Sequence, residues 1–231
     1  MIISLVAPED DLSLQIHPND RIAAALGYPS GKNEAWYFLR TEEGSSIVYG
    51  QSTRNEEEMR NMIRQDRWEE LMCLMPVREG DFVYLPAGIV HALKKGNIVY
   101  EIQQATDITY RFYDYHRKDS AGRERPLQVE EAIACVDYGL DRSSAHPEAV
   151  TETLPGCEIT TFIRNESFCV RRFEADGSAE LHSDGYRLMT CVRGKGRADG
   201  IPFHIGESFL VPSNSTVRLE GAFTLMCTSE D

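Results

Sequence analysis

The chain has six cysteines, Cys73, Cys135, Cys157, Cys169, Cys191 and Cys227, but no C-x-x-C pair. None of their spacings suits a zinc site, so six reduced thiols are expected rather than a thiolate-bound metal. No apolar run approaches the ~18 residues that a membrane span needs. Neither end reads as a basic, apolar signal segment. The expectation is a soluble, cytoplasmic protein with no membrane partner. Positive charge is also scarce: 24 Lys and Arg stand against 37 Asp and Glu, a formal charge of −13, with a pI near 4.9. Such a surface argues against nucleic acid and anionic lipid as partners. An anionic substrate would have to meet locally concentrated positive charge.

What is present is ordinary for a globular protein, with 42% apolar and 26% charged residues in 231. That length can bury a sizeable core in one large or two small domains. One stretch, from Leu12 to Trp36, gathers Gln15, His17, Lys32 and Glu34 around a short insertion. On an extended chain alternate side chains leave by one face, so Gln15 and His17 can enter the same cavity. Pro18-Asn19-Asp20 breaks that strand, Asp20 is expected to cap a short Ala-rich helix, and Gly27 to end it. Glu34 opens the next apolar run. An imidazole, an amide oxygen and a carboxylate then form most of a divalent-metal shell.

A second segment supplies the partner. Gly80-Asp81 starts a strand, Pro86-Ala87-Gly88 turns the chain, and His91 follows. This resembles the second motif of the cupin superfamily, and the first segment resembles a variant of the cupin His-x-His…Glu motif with Gln15 in place of the first His. The blocks LSLQIHPND, GKNEAWY, LPAGIVHAL and EIQQATDITYRFYDY are similar to those of the type I phosphomannose isomerases, especially the short bacterial form. These blocks span roughly the first half of the chain.

The resemblance implies a mainly β fold: a cupin-type antiparallel β-barrel (jelly roll) with short outer helices, then a smaller degenerate cupin-like β domain. We expect a metal-binding barrel over residues 1–120, a polar connector with a short helix over 121–152, and a C-terminal β domain without a metal site over 153–231. The family's substantial N-terminal segment is missing ahead of the first block. An unpaired strand edge is expected there, which a partner subunit could cover.

Along the chain, Ile2–Val6 reads as a strand, as do residues 35–40, 46–50, 82–85, 91–93, 98–103 and 109–115. Residues 56–75 carry a helical stripe of Met and Trp, read as two outer helices with Asp66 and Glu69 as a capping pair. Residues 94–97 read as a hairpin turn. In the second half, Gly206-Glu207-Ser208-Phe209-Leu210-Val211-Pro212 echoes Gly80-Asp81-Phe82-Val83-Tyr84-Leu85-Pro86. No histidine follows Pro212, and His182 and His204 lack partners at ligand spacing.

The resemblance also implies roles. Gln15, His17, Glu34 and His91 become metal ligands, although the Gln15 amide could instead hold a metal-bound water. Two histidines, a carboxylate and an amide suit one zinc ion, with manganese, iron and cobalt acceptable. Arg111 becomes the catalytic arginine, whose permanent charge can stabilise an enediolate. Lys32 and Glu101 are catalytic candidates. Ser13, Lys32, Asp107 and Arg111 are candidates for binding a sugar phosphate. The implied reaction interconverts mannose 6-phosphate and fructose 6-phosphate through a cis-enediol in a monomer or homodimer. Its base is left open between metal-bound water, Glu101 and a histidine. The alternative is a non-catalytic, metal-containing sugar-phosphate-binding or regulatory cupin.

Overall fold

Short alternating runs punctuated by glycine and proline become short antiparallel strands. The computed structural model describes residues 1–230, and the chain divides into two compact units, Met1–His146 and Pro147–Asp231. In the first unit the order is β1 (Ile2–Val6), β2 (Leu14–Ile16), α1 (Asp20–Ala25), β3 (Glu34–Thr41), β4 (Ser46–Gln51), α2 (Glu56–Arg64), α3 (Trp68–Leu71), β5 (Met72–Pro76), β6 (Phe82–Leu85), β7 (His91–Ala92), β8 (Asn97–Gln103), β9 (Tyr110–Tyr113) and α4 (Val129–Cys135), followed by a 3-10 turn at Arg142–Ala145.

These strands form a four-stranded sheet in the order β1-β8-β3-β6 and a five-stranded sheet in the order β5-β4-β7-β2-β9. All the pairings are antiparallel. The expected barrel is corrected in one respect: among the described residues the ladders do not close into a continuous barrel. The strands stay in two sheets, which is how a jelly roll differs from an up-and-down barrel.

Alternation along the strands sorts the core into two clusters. Trp36 and Phe38 of β3, Val83 and Leu85 of β6 and Val99 of β8 pack with Ile47 and Tyr49 of β4, which joins the two sheets. On the opposite face of the five-stranded sheet, Leu14, Ile16, Val48, Ala92 and Phe112 pack under Met59 of α2, Trp68 and Leu71 of α3, and Ala132 and Ile133 of α4. Since Leu14 and Ile16 face the helices, period-two geometry sends Gln15 and His17 toward the other sheet. The same holds for His91, whose neighbour Ala92 lies under the helices.

The second unit has one seven-stranded antiparallel sheet. Its strands are β10 (Val150–Leu154), β11 (Cys157–Arg164), β12 (Cys169–Ser183), β13 (Arg187–Ala198), β14 (Ile201–His204), β15 (Ser208–Val211) and β16 (Ser215–Ser229). The order is β10-β11-β12-β16-β13-β14, with β15 also paired to β13. Phe173, Met189, Phe203, Leu219, Phe223 and Leu225 are among its buried core.

Several sequence expectations shift in detail. The second half of the Met-rich stripe is not helical: Met72 and Met75 lie in β5, paired with β4. The Asp66/Glu69 cap does not form, because Asp66 adopts positive φ (55°) and its Oδ1 accepts from Trp68 Nε1 at 2.8 Å. Asn19, not Asp20, caps α1, its side chain accepting from the Ile22 N–H at 3.0 Å. Residues 94–97 are not a hairpin turn, since β7 and β8 belong to different sheets. The stretch 121–152 contains the expected short helix, but α4 buries Ala132, Ile133 and Cys135 in the first unit, and the division between units falls after His146. The Gly80 and Gly206 echo survives as geometry, both glycines holding positive φ (89° and 85°) ahead of β6 and β15. All six cysteines are free. Among the described residues no helix is long and apolar enough to cross a membrane.

Candidate functional site

Three of the sequence blocks are tied together around the end of β2. The Gly88 N–H donates to the His17 carbonyl at 2.9 Å, and the Lys32 N–H donates to the Pro18 carbonyl at 3.1 Å. Gly31 lies against the same turn so closely that a Cβ there would sit 2.6 Å from the Pro18 oxygen. The Ala87 N–H donates to Asn33 Oδ1 at 2.8 Å, while the Asn33 side-chain amide donates to Gln104 Oε1 at 2.9 Å. Backbone and amide bonds thus fix His17, Glu34 and the turn before His91 relative to one another.

His17, Glu34 and His91 are all buried, each no more than 2% exposed. Their candidate ligand atoms all lie within 4.8 Å of one another. His17 Nε2 stands 3.3 Å from Glu34 Oε1, and His91 Nε2 stands 3.4 Å from Glu34 Oε2. Lys32 Nζ reaches the same carboxylate at 2.8 Å. Each imidazole uses its other nitrogen against a backbone carbonyl: His17 Nδ1 on Ile108 O at 2.9 Å and His91 Nδ1 on Ile89 O at 3.0 Å. A carbonyl only accepts, so both Nδ1 atoms carry the proton and both Nε2 atoms present lone pairs.

The charges make this arrangement incomplete as it stands. Burial pushes the His17 imidazole below its ordinary pKa, outweighing the pull of Glu34, so His17 is neutral at pH 7. Glu34 is held ionised by the Lys32 ammonium, 2.8 Å from its Oε1. Lone pairs therefore face lone pairs, and His17 Nε2 and Glu34 Oε2 are buried without a hydrogen-bond partner. Leaving buried acceptors unsatisfied is costly. A divalent cation between them resolves it, and N2O donor chemistry fits such an ion.

Gln15 faces His91 across the β2–β7 ladder. Its amide nitrogen lies 3.4 Å from His91 Nε2, and a half-turn of the amide brings the oxygen, the ligating atom, to that place. Arg111 lies in register with Gln15 on β9, with its Nε buried and unpartnered. Glu101 is half-buried on β8, its Oε1 accepting from Trp36 Nε1 at 2.9 Å. Burial, then the Glu34 charge, push its carboxyl up.

Gln15, Ser13 and Arg111 line a cavity of about 780 Å³. The same lining carries Arg117, Lys118, Arg123 and Arg125 together with Asp114, Asp119 and Glu124; Arg117 and Arg125 pair with Asp114, and Arg123 pairs with Asp119. The signal of these four cations was available in the sequence: they fall within nine residues of a chain with net charge −13. Asp107 is exposed, lies outside that lining, and is not brought to the cluster. His182 and His204 are exposed, bonded locally to Thr216 and Glu207. A cavity of about 660 Å³ in the second unit, lined by Phe203, Phe209 and Val217 among others, holds no histidine–carboxylate cluster.

No family model matches the chain. It is 34% identical over 230 residues to mannose-6-phosphate isomerase ManA of Bacillus subtilis, covering 96% of this chain and 72% of the relative. The chain belongs to the mannose-6-phosphate isomerase family. A mannose-6-phosphate isomerase of Streptococcus mutans is 35% identical over 198 residues, 85% of this chain; the match spans 62% of that relative's length. The crystal structure of the mannose 6-phosphate isomerase from Bacillus subtilis superposes with a TM-score of 0.92 at 32% identity, over 98% of this chain and 74% of that one. A single-residue variant of phosphomannose isomerase from Salmonella typhimurium, at 13% identity and TM-score 0.77 over 98% of this chain and 77% of that one, shares the fold.

Proposed function

We propose that the chain interconverts mannose 6-phosphate and fructose 6-phosphate in the cavity beside His17, Glu34 and His91. The observation that carries this is the buried His17–Glu34–His91 cluster placed on the same sheet face as Gln15 and Arg111. Family membership favours turnover over a non-catalytic sugar-phosphate-binding cupin.

His17, Glu34, His91 and the Gln15 amide oxygen would hold one divalent metal, a donor set most suited to zinc. Bound there, such an ion would supply Lewis acidity to the reacting sugar oxygens. Glu101 serves as the base: both histidines are committed at Nδ1 and Glu34 is held by Lys32, while Glu101 lies outside the ligand set and is engaged through Oε1 by Trp36. Its carboxylate takes the proton from C2 and returns it at C1. The hydroxyl proton on O2 passes to O1, so an aldehyde and a secondary alcohol become a primary alcohol and a ketone with no net change in atoms. Arg111 stabilises the negative charge on the enediolate oxygens. Lys32 holds the ionised Glu34 and lies with it near the reacting oxygens. Ser13 and a lining in which five cations stand against Asp114, Asp119 and Glu124 receive the phosphate, the local excess of positive charge that an acidic chain must supply.

Mannose 6-phosphate incubated in deuterium oxide tests this by NMR. The reading requires fructose 6-phosphate to form, and deuterium to enter C1 to the extent that the shuttled proton exchanges with solvent. Absence of fructose 6-phosphate with the metal-loaded protein overturns it.

A further inference from the structure

We propose that Trp36 is a positioning residue, whose indole N–H fixes one oxygen of Glu101 so that the other stays free to move the substrate proton. The inference rests on the isomerase reading above. Trp36 and Glu101 stand directly opposite each other in the β3–β8 ladder, and Trp36 Nε1 donates to Glu101 Oε1 at 2.9 Å. The bond engages Oε1 and leaves Oε2 outside it. One oxygen is anchored and one is available.

The donor is rigid. Trp36 is 1% exposed, packed with Phe38, Val83, Leu85 and Ile89, and its ring meets the edge of His91 at a centroid distance of 5.7 Å and 76°. In such surroundings a phenylalanine would satisfy packing alone, and the indole's single polar atom would be a liability without an acceptor. Its acceptor is the carboxylate of the proposed base. An N–H donated to a carboxylate favours the ionised form, opposing the burial that pushes Glu101 up. Trp36 therefore ties the base to the same wall that holds the metal ligand His91, and sets its distance and its charge state together.

A double-mutant cycle on the metal-loaded protein tests this. Trp36→Phe should lower kcat about tenfold or more, the equivalent of a hydrogen bond to a charged group, with KM and the metal content unchanged. In a Glu101→Gln background the same substitution should change kcat by less than about twofold, because the carboxylate whose placement it governs is no longer there to act as base. Replacing Trp36 with its sulfur isostere benzothienylalanine, which keeps the shape and lacks the N–H, should reproduce the Trp36→Phe loss even if phenylalanine packs poorly. Additive losses, full activity with the isostere, or an effect confined to KM or metal content would overturn the inference while leaving the isomerase reading intact. An inactive wild-type protein would overturn the isomerase reading itself.

Discussion

Gln15 and Arg111 stand in register on neighbouring strands, yet they meet different parts of the site. The Gln15 amide touches His91, whereas the Arg111 Nε is buried with no partner. The proposed function assigns Arg111 to the substrate and not to the metal. Arg111→Ala should cost a factor of about 10² or more in kcat, the loss of one preorganised charge at a developing oxyanion. Elemental analysis should find the variant's metal content equal to that of wild type. Loss of metal together with activity would place Arg111 in the shell instead.

Glu34 joins both imidazoles and Lys32, so its removal strands a buried cation. Glu34→Ala should destabilise the protein by about 3–5 kcal/mol, the penalty for breaking a buried pair from one side. It should also abolish metal binding. Glu34→Ala with Lys32→Met should recover part of that stability in denaturant titrations but none of the metal, because the stranded charge is gone and the ligand is still missing.

The raised Glu101 carboxyl predicts a pH dependence. If its ionised form is the base, kcat/KM falls as pH drops through a value above the usual carboxylate range, and Glu101→Gln removes that limb along with most of the activity. Stability follows the opposite sense. A carboxyl whose folded pKa is raised favours the fold below its unfolded pKa, and that contribution is lost as pH rises through the folded pKa. Glu101→Gln should therefore be more stable than wild type near neutrality, with the difference disappearing in acid.

Gly31 is a prediction of geometry alone. A Cβ at that position would strike the backbone of Pro18 and Asn19. Gly31→Ala should cost roughly 1–3 kcal/mol as an overpacked contact and weaken metal binding, because Lys32 and Glu34 hang from the displaced turn. Unchanged metal affinity would show that the turn does not position Glu34.

Much of this site was legible in the sequence because its chemistry is carried by period-two placement and by turns. Gln15 and His17 share a face for the same reason that Leu14 and Ile16 share the helix-covered one. His91 follows a turn that glycine and proline mark plainly. Less visible was anything set by a long-range partner. Met72 and Met75 continue a helical stripe, but pairing with β4 turns them into a strand. Asp20 and Asn19 are equally good caps by type, and Asp20 Oδ1 is instead claimed by the Gly31 N–H at 2.7 Å. The strand β10 has all five residues exposed, so it lacks the alternation by which strands are read. The long strands β12, β13 and β16 are interrupted in sequence by Gly177, Gly194, Gly196 and Gly221, which look like turns but sit where two backbones pass too closely for a Cβ at three of the four.

The central claim is that one divalent ion held by His17, Glu34, His91 and Gln15 sustains isomerisation. Its most direct measurement is mannose 6-phosphate turnover by chelator-stripped protein titrated with zinc. The account predicts negligible turnover at the start, a linear rise, and a plateau at one equivalent of zinc per chain. Full turnover in the stripped protein, or a rise that ignores loss of the His91 imidazole in His91→Ala, would contradict it.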